Sequence, residues 1–297
     1  MFKRKKYQLR LRTGALALGE RTLIMGVLNV TPDSFSDGGK FLHPRAAVKQ
    51  ALAMQAGGAH LIDIGAESTR PGSRETNAGE ELRRLLPVLK ALNGKLKIPV
   101  SIDTRKAIVA EAALQAGAAM INDVSGLRHD PALASVAAKY QAPLILMHMR
   151  GEPHSMQRAA FARNVIKDVL SGLRASIKLA RDCGVAKSRI LLDPGIGFGK
   201  SWPQNYELLA GLGELAKLGF PLVVGTSRKG FLGVTLARDG KSAPSDQRIW
   251  GSAATVAASI LHGAHIVRVH DVAEMAQVAR IADCVMRPEL APKTPRN

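Results

Sequence analysis

The chain has 297 residues, of which 46% are hydrophobic and 22% are charged; this composition excludes an intrinsically disordered chain, and no apolar run is long enough to span a membrane. Its two cysteines, Cys183 and Cys284, are too few for a disulfide framework or a cysteine-based zinc site, and they suit a reducing cytoplasm. The 42 Lys and Arg residues outnumber the 24 Asp and Glu residues, and the formal net charge of +18 indicates anionic partners, either nucleic acid or phosphorylated small molecules.

The first segment of the chain is strongly basic. Its positive charges are Lys3, Arg4, Lys5, Lys6, Arg10 and Arg12. The residues that follow alternate polar and apolar side chains and provide no apolar core for a signal peptide. We therefore predict a solvated basic tail, and after it a small β-hairpin over residues 9–18 that closes the bottom of the fold.

Eight near-continuous apolar segments then recur along the chain, each ending in polar residues. Such segments are typical of strands that are buried on both faces of a parallel sheet. The predicted strands are residues 23–30, 61–65, 100–103, 120–123, 144–148, 190–193, 222–226 and 266–270. Segments rich in Ala and Leu lie between them and predict helices at residues 44–56, 80–92, 107–115, 132–140, 161–183, 206–218, 252–261 and 272–286.

The alternation of strands and helices predicts the fold class. Eight β/α units in fewer than 300 residues favour an α/β protein with a closed (β/α)8 TIM barrel in a single domain. An open doubly wound sheet is the structural alternative, but residues 29–33 lack the Gly-rich fingerprint that usually follows its first strand. We divide the chain into a basic tail and hairpin (residues 1–20), the barrel (21–287) and a proline-rich, frayed tail (288–297).

Polar side chains stand at the carboxyl end of every predicted strand, the face at which TIM barrels carry their active sites. They are Asn29, Asp63, Asp103, Asn122, Asp123, His148, Asp193, Ser227, Arg228, Lys229, Arg268 and His270. A single polar residue there is commonly a cap or a turn former, but polar groups at all eight ends predict an active site.

Two of these carboxylates, Asp103 and Asp193, could form an acid–base pair or accept hydrogen bonds from the N–H groups of a nitrogen heterocycle. A glycosidase is a weaker alternative, because aromatic residues make up only 4% of the chain. Lys229, Arg268 and His270 follow the last two strands, where barrels often bind phosphate; the structural alternative for them is salt bridging to neighbouring helices.

Three loops also stand out. The segment from Gly195 to Ser201 is similar to a phosphate-binding P-loop, but Pro194 occupies a position that must be Gly, so we interpret it as a loop that lets the backbone approach a flat ligand. Residues 31–39 and 67–73 mix Gly or Pro with hydroxyl and charged side chains, which is typical of mobile lids. We expect these two loops to become ordered only with bound ligands, so that a second substrate binds after the first.

Several of these segments resemble one enzyme family. Residues 26–39, from Gly26-Val27-Leu28-Asn29 to Asp37-Gly38-Gly39, closely resemble the first signature of the dihydropteroate synthases. Residues 67–72 resemble the second loop of that family, and residues 193–200, 227–229 and 268–271 match further blocks. The resemblance covers residues 21–286 in order.

The resemblance implies a pterin-binding TIM barrel that joins 6-hydroxymethyl-7,8-dihydropterin diphosphate to p-aminobenzoate, giving 7,8-dihydropteroate and diphosphate in folate biosynthesis. It implies a cytoplasmic transferase that needs Mg²⁺, forms a homodimer, is competitively inhibited by sulfonamides and binds neither nucleic acid nor membranes.

The resemblance also implies a role for each matched residue. The pterin site would comprise Asp103, Asn122, Met147, Asp193, Phe198 and Lys229. The diphosphate site would comprise Thr69, Arg70, Arg268 and His270. The p-aminobenzoate site would comprise Phe35, Thr69, Pro71 and Gly230. Asn29 would contact the metal, and the residues implied in catalysis are Lys229, Arg268, His270 and Asp103.

One position departs from the family pattern: many members have Ser after the Ser-Arg-Lys triplet, where this chain has Gly230. The p-aminobenzoate carboxylate would lose a hydroxyl partner there and keep the backbone N–H. Two alternative functions stay open at this point, a pterin-binding methyltransferase and a catalytically inactive paralogue or nucleic-acid binder. The few aromatic residues disfavour nucleic acid, and Lys229 with Arg268 and His270 disfavours the methyltransferase.

Overall fold

The computed structural model describes residues 4–12, 14–31, 44–67, 75–151 and 161–293. Its strands are β1 (Tyr7–Leu11), β2 (Gly14–Leu18), β3 (Leu23–Asn29), β4 (Leu61–Gly65), β5 (Val100–Asp103), β6 (Met120–Asp123), β7 (Leu144–Met147), β8 (Ile190–Asp193), β9 (Val223–Gly225) and β10 (Ile266–Val269). Its helices are α1 (Pro44–Ala56), α2 (Ala78–Leu92), α3 (Ala107–Gln115), α4 (Ala132–Lys139), α5 (Val165–Asp182), α6 (Trp202–Ala210), α7 (Leu212–Ala216), α8 (Gly230–Thr235), α9 (Ile249–Leu261) and α10 (Val272–Met286).

The eight strands from β3 to β10 form one parallel sheet in the order β8-β7-β6-β5-β4-β3-β10-β9. The two ends of the sheet meet: a parallel bridge joins Leu192 to Leu222, just before β9, and the Leu192 amide donates to the Pro221 carbonyl at 3.0 Å. Each strand therefore pairs with its predecessor and successor, and the helices cover the outside. The predicted TIM barrel is confirmed.

The side chains inside the barrel change from apolar to polar along each strand. Strand residues alternate between the two faces, so residues two apart point the same way. The inner apolar cluster consists of Leu9, Leu18, Leu23, Met25, Leu61, Met120, Ile145, Leu191, Val223 and Ile266. Two residues after Leu61, Met120, Leu191 and Ile266 come Asp63, Asn122, Asp193 and Arg268. The same spacing that fills the bottom of the barrel thus places a polar layer at its carboxyl end.

The N-terminal hairpin closes the opposite end. Strands β1 and β2 pair antiparallel, from Tyr7 opposite Leu18 to Leu11 opposite Gly14. Leu9 and Leu18 are each 1% exposed and belong to the inner apolar cluster of the barrel. The predicted hairpin at the barrel bottom is therefore present.

The prediction of a solvated basic tail is wrong for Arg4. This side chain is buried, and its guanidinium donates to the Ala264 carbonyl at 2.8 Å, to the Thr22 hydroxyl and to the Asp283 carboxylate of α10. A buried charge is tolerated only with a partner, and Asp283 provides one from the far end of the chain. By contrast, Lys6 pairs with Glu20 at the surface, as expected of a basic tail.

Most element boundaries follow the prediction, with exceptions at the start of α5, which begins at Val165 and not at residue 161, around α6 and at the C-terminus. The predicted helix 206–218 is two helices that meet at Gly211, and the first begins earlier because Ser201 and Gln204 form a capping box. Helix α8 was not predicted. Of the tail predicted to fray, residues 288–290 form a 3₁₀ turn, and residues 294–297 lie outside the described residues. In the described segments, no helix combines the length and apolarity needed to cross a membrane.

Candidate active site

A cleft opens at the carboxyl ends of the barrel strands. Its lining residues are Asp103, Asn122, Val124, Met147, Asp193, Gly195, Ile196, Phe198, Gly225, Lys229 and Arg268. All six residues predicted for the pterin site are among them, and so is Arg268. Val124 and Ile196, which the sequence analysis did not single out, add apolar wall.

Arg268 spans the floor of this cavity. Its Nε donates to Asp63 Oδ2 at 2.7 Å, and its Nη2 donates to Asp103 Oδ2 at 2.8 Å. The Asn122 amide also donates to Asp63 Oδ2, at 2.9 Å. Arg268 therefore pairs with strand carboxylates and not with the neighbouring helices that the structural alternative required. Asp63 is fully buried and was given no role in the sequence analysis, although its spacing of two from Leu61 could have revealed that it points inward.

The carboxylates of the cavity are poor acids. The Asp103 side chain is only 10% exposed, and removal from water raises its pKa to about 7 even though Arg268 opposes the shift. Asp63 shares the same guanidinium, and its negative charge raises the pKa of Asp103 further. Burial also raises the pKa of Asp193, against a hydrogen bond from the Gly195 amide. Of the two alternatives that the sequence left open for this pair, acceptor or acid–base group, a pKa near neutral leaves both available to Asp103.

Lys229 contributes a cation to the opposite wall. Its Nζ lies 3.9 Å from the centroid of the Phe198 ring, a cation–π contact. Burial and the charge of Arg268 lower the pKa of Lys229 to about 8. Gly197 makes room for this side chain, because a Cβ there would lie 3.2 Å from Lys229 Cδ and its φ of +83° favours glycine. The Gly-rich loop thus brings an aromatic face and an ammonium group together.

Lys200, the residue that suggested a P-loop, does not face the cavity mouth. It is buried, and its Nζ donates to the His148 carbonyl at 2.9 Å and lies 3.0 Å from His148 Nδ1. Burial, reinforced by the nearby charge of Lys200, lowers the pKa of His148 to about 2, and burial lowers that of Lys200 to about 7. The lysine therefore joins the end of β7 to the loop after β8.

Asn29 is the last residue of β3 and lies beside Gly65 of β4. A Cβ on Gly65 would lie 3.6 Å from Asp103 Oδ2 and 3.7 Å from Asn29 Oδ1, so glycine leaves a small space flanked by two oxygen atoms. Oxygen ligands suit Mg²⁺, which is commonly held by one or two protein groups together with substrate phosphates and water. Within the described residues, no cluster of three or more His, Cys, Asp or Glu forms a metal cage. The donor set therefore fits a cation shared with a phosphorylated substrate.

His270 and Gly230 lie outside the lining of the cavity. The amide and Nδ1 of His270 contact the Ser227 hydroxyl at 3.2 and 3.1 Å. Burial and the charge of Arg268 lower the pKa of His270 to about 3, so the imidazole is neutral at neutral pH. Gly230 begins α8, directly after Lys229, and is exposed.

Four predicted site residues, Phe35, Thr69, Arg70 and Pro71, lie outside the described residues, as does most of each predicted lid loop. The described residues on either side of residues 68–74 lie close to each other. Glu67 accepts from the Thr76 amide at 2.9 Å and from Lys106 Nζ at 2.9 Å. The two ends of this segment are therefore tied together beside the barrel mouth.

Comparison with known proteins supports the same assignment. The pterin binding enzyme family matches residues 25–270. A dihydropteroate synthase of Synechocystis sp. is 50% identical over 269 residues, which cover 91% of this chain and 92% of that relative.

Solved structures agree with these relatives. The Yersinia pestis dihydropteroate synthase with a sulfonamide drug complex is 41% identical with a TM-score of 0.87, covering 95% of this chain and 99% of that chain. The Xanthomonas albilineans dihydropteroate synthase with 4-aminobenzoic acid is 40% identical with a TM-score of 0.87, again covering 95% and 99%. With its barrel, its polar layer at the strand ends and these likenesses, the chain belongs to the pterin-binding enzymes and, among them, to the dihydropteroate synthases.

Proposed function

We propose that the cavity binds the pterin of 6-hydroxymethyl-7,8-dihydropterin diphosphate and that the chain condenses it with p-aminobenzoate. The supporting observation is the set of groups that lines one cavity. Asp103 and Asp193 offer acceptors to ring N–H groups, Lys229 offers a donor to the ring carbonyl, and Asn122 offers both. Met147 and Phe198, which are 4% and 9% exposed, are the apolar walls for a flat ring.

Arg268 is the residue that connects the pterin to the diphosphate. In the structure described above its guanidinium is held by Asp63 and Asp103. We infer that bound diphosphate draws this guanidinium into bidentate contact, because phosphate oxygens are strong partners for the Arg fork. The exchange leaves Asp103 available to accept from the pterin.

The reaction needs no protein nucleophile, and none of the cavity-lining residues is Ser or Cys. The C–O bond to diphosphate breaks, the ring stabilises the positive methylene carbon, and the amine nitrogen of p-aminobenzoate forms a bond to it and loses a proton. Arg268 stabilises the negative charge that develops on the leaving diphosphate, and the cavity positions the two reactants. Mg²⁺, when held by Asn29 and the substrate, would supply further charge neutralisation.

The second substrate would lie outside the pterin, against Lys229 and the start of α8. The Gly230 backbone N–H is its proposed carboxylate partner. Phe35, Thr69 and Pro71 are the other proposed contacts and lie outside the described residues. Sulfonamides, which share the aniline ring, would compete for this position.

The proposal also covers the oligomeric state and the cellular location. Ile281 and Val285 lie one turn apart on α10 and are 67% and 51% exposed, an apolar surface that suits a homodimer. Cys183 and Cys284 are both unpaired thiols, which suits a cytoplasmic enzyme.

The test is diphosphate release by the purified protein with Mg²⁺ and pterin diphosphate. Release that depends on p-aminobenzoate, with dihydropteroate as the product, would support the proposal. Asp193→Asn should lower pterin affinity at least about tenfold, since a donor would then face an N–H group. Asp182→Asn, at an exposed carboxylate on α5, is the matched control and should leave the rate unchanged. Release without p-aminobenzoate, or none at all, would overturn the assignment.

A further inference from the structure

The exposed start of α8 carries the chain's departure from the family pattern, Gly230. A Cβ on Gly230 would lie 3.6 Å from Cη2 and 3.8 Å from Cζ3 of Trp202, which are ordinary contact distances. The indole of Trp202 therefore stands directly beside Gly230. Trp202 is 40% exposed, so part of this side chain is accessible to a ligand.

Trp202 is held in this place from its own helix. It is the first residue of α6, and the capping box formed by Ser201 and Gln204 fixes the beginning of that helix. The Gln204 side chain also donates to the Ala162 carbonyl at 2.6 Å. The backbone that carries the indole is therefore anchored on both sides.

The next turn of α6 fixes the indole relative to α8. The Tyr206 ring packs edge-on against Phe231, with ring centroids 5.1 Å apart and an interplanar angle of 77°. The Tyr206 hydroxyl also bonds to the Thr235 hydroxyl at 2.7 Å. Trp202 and Gly230 thus sit on two helices that are locked together, and their separation does not depend on a loop.

The location of this pair determines which ligand can reach it. Lys229 lines the cavity, with its ammonium over Phe198, and Gly230, the next residue in the chain, lies outside the lining. A group that contacts the indole must therefore extend outward from the cavity, past Lys229. The pterin lies inside, so the ligand concerned is the aniline-type second substrate or a competitor of it.

We propose that Trp202 is a specificity-determining residue for the second site, which favours aniline-type ligands that carry an additional aromatic ring beyond the position of the carboxylate. The indole face replaces a hydroxyl by a stacking surface, while the Gly230 N–H keeps the contact with the carboxylate itself. This inference rests on the proposed function, because it assumes that the second substrate lies against Gly230.

The first experiment compares two inhibitors with and without the ring. Sulfanilamide has no substituent on its sulfonamide nitrogen, and sulfathiazole carries a thiazole there. In Trp202→Ala, inhibition by sulfathiazole should weaken about three- to tenfold, as expected for loss of one aromatic contact, and inhibition by sulfanilamide should change less than about twofold. Trp202→Leu keeps apolar bulk without the aromatic face and should show the same selective loss, which covers the case in which Trp202→Ala fails to fold.

Trp250 provides a matched control for this comparison. It is the other tryptophan of the chain, is 80% exposed on α9 and does not line the cavity. Trp250→Ala should leave both inhibition constants unchanged. Equal losses for both inhibitors in Trp202→Ala, or no loss, would overturn the inference while leaving the proposed function intact. A wild-type protein that releases no diphosphate would contradict the proposed function first.

The second experiment measures the fluorescence of the Trp202 indole. Trp250→Phe leaves Trp202 as the single tryptophan, and sulfathiazole added to this variant with pterin, diphosphate and Mg²⁺ should change its emission saturably, at the concentration that inhibits the enzyme. The same titration of Trp202→Phe, which keeps Trp250, should give no saturable change. Saturable change in both variants, or in neither, would show that the ligand does not contact Trp202.

Discussion

Lowering the pH from about 7.5 to about 5.5 should weaken pterin binding by about 25-fold, roughly 1.9 kcal/mol, when the ligand is 6-hydroxymethylpterin without its diphosphate. The magnitude follows from Asp103, whose pKa in the unliganded cavity is about 7. Pterin N–H groups favour the ionised carboxylate, so binding lowers this pKa, and below pH 7 the ligand must expel a proton before it can bind. The affinity should then fall up to tenfold for each unit of pH.

At alkaline pH the dependence is reversed, and pterin affinity should fall as the pH rises. Lys229 has a pKa of about 8 in the unliganded cavity, and a ring carbonyl favours its protonated form. Binding above that pH therefore requires proton uptake, and affinity should drop about 15-fold between about pH 8 and about pH 9.5. Pterin affinity should be greatest between the two pKa values. Omitting the diphosphate matters, because phosphate groups titrate with a pKa near 6 and would obscure the acid side.

Calorimetry in two buffers of different ionisation enthalpy measures both the affinity and the protons exchanged. Asp103→Asn should bind more weakly near neutral pH and lose most of the dependence on acid, so that its affinity approaches that of the wild type as the pH falls. Lys229→Met should lose the dependence on alkali. Asp193, whose pKa is also raised, accounts for any residual acid slope. An unchanged acid slope in Asp103→Asn would refute the reasoning, since the expelled proton would then come from another group.

Three further predictions concern the walls of the site. Arg268→Ala should weaken pterin diphosphate by about 1.5–3 kcal/mol more than pterin alone in calorimetry, because the charge-assisted contact is to phosphate; equal losses would make Arg268 purely structural. Gly65→Ala should fold normally, as its Cβ meets only ordinary contacts, but should raise the Mg²⁺ concentration needed for half-maximal activity, and an unchanged requirement would place the metal elsewhere. Lys200→Met leaves the His148 carbonyl without its donor and should lower the free energy of urea unfolding by about 1–3 kcal/mol. The pKa of Lys200 in the folded protein is about 7, below its ordinary value, so between about pH 7 and about pH 10 the unfolded wild-type chain binds more protons than the folded one. The free energy of unfolding of the wild type should therefore rise with pH over this range, and its difference from that of Lys200→Met should widen. A difference that stays constant would contradict this.

Sequence patterns were sufficient for the barrel and for the polar side chains of its cavity. Near-continuous apolar strands that end in polar residues define both the sheet and its functional face, so the sequence alone predicts that Asp103, Asn122 and Asp193 lie close together. Ser201 and Gln204 form a capping signal that also marks the start of α6 in the sequence. The apolar pattern begins later, and the helix predicted from it therefore started at residue 206.

Other features depend on distances that a sequence pattern does not contain. Which carboxylates receive Arg268 depends on the stagger of β10, β3, β4 and β5 around the barrel, and Asp63 therefore remained without a role. The burial of Arg4 depends on Asp283, which is 279 positions away, and no local pattern reports such a pair. The assignments of Phe35, Thr69, Arg70 and Pro71 remain predictions.

The pairing of Arg4 with Asp283 has a consequence for how the protein is made. Thr22, directly before β3, also donates to Asp283, through its amide at 2.7 Å and its hydroxyl at 2.8 Å. During synthesis the ribosome produces these first partners long before α10, and the edge of β3 that pairs with β10 stays open for the whole interval. Contacts between such distant residues make folding slow and leave an unpaired strand edge exposed to aggregation. We expect the nascent chain to be a chaperone client until α10 has emerged.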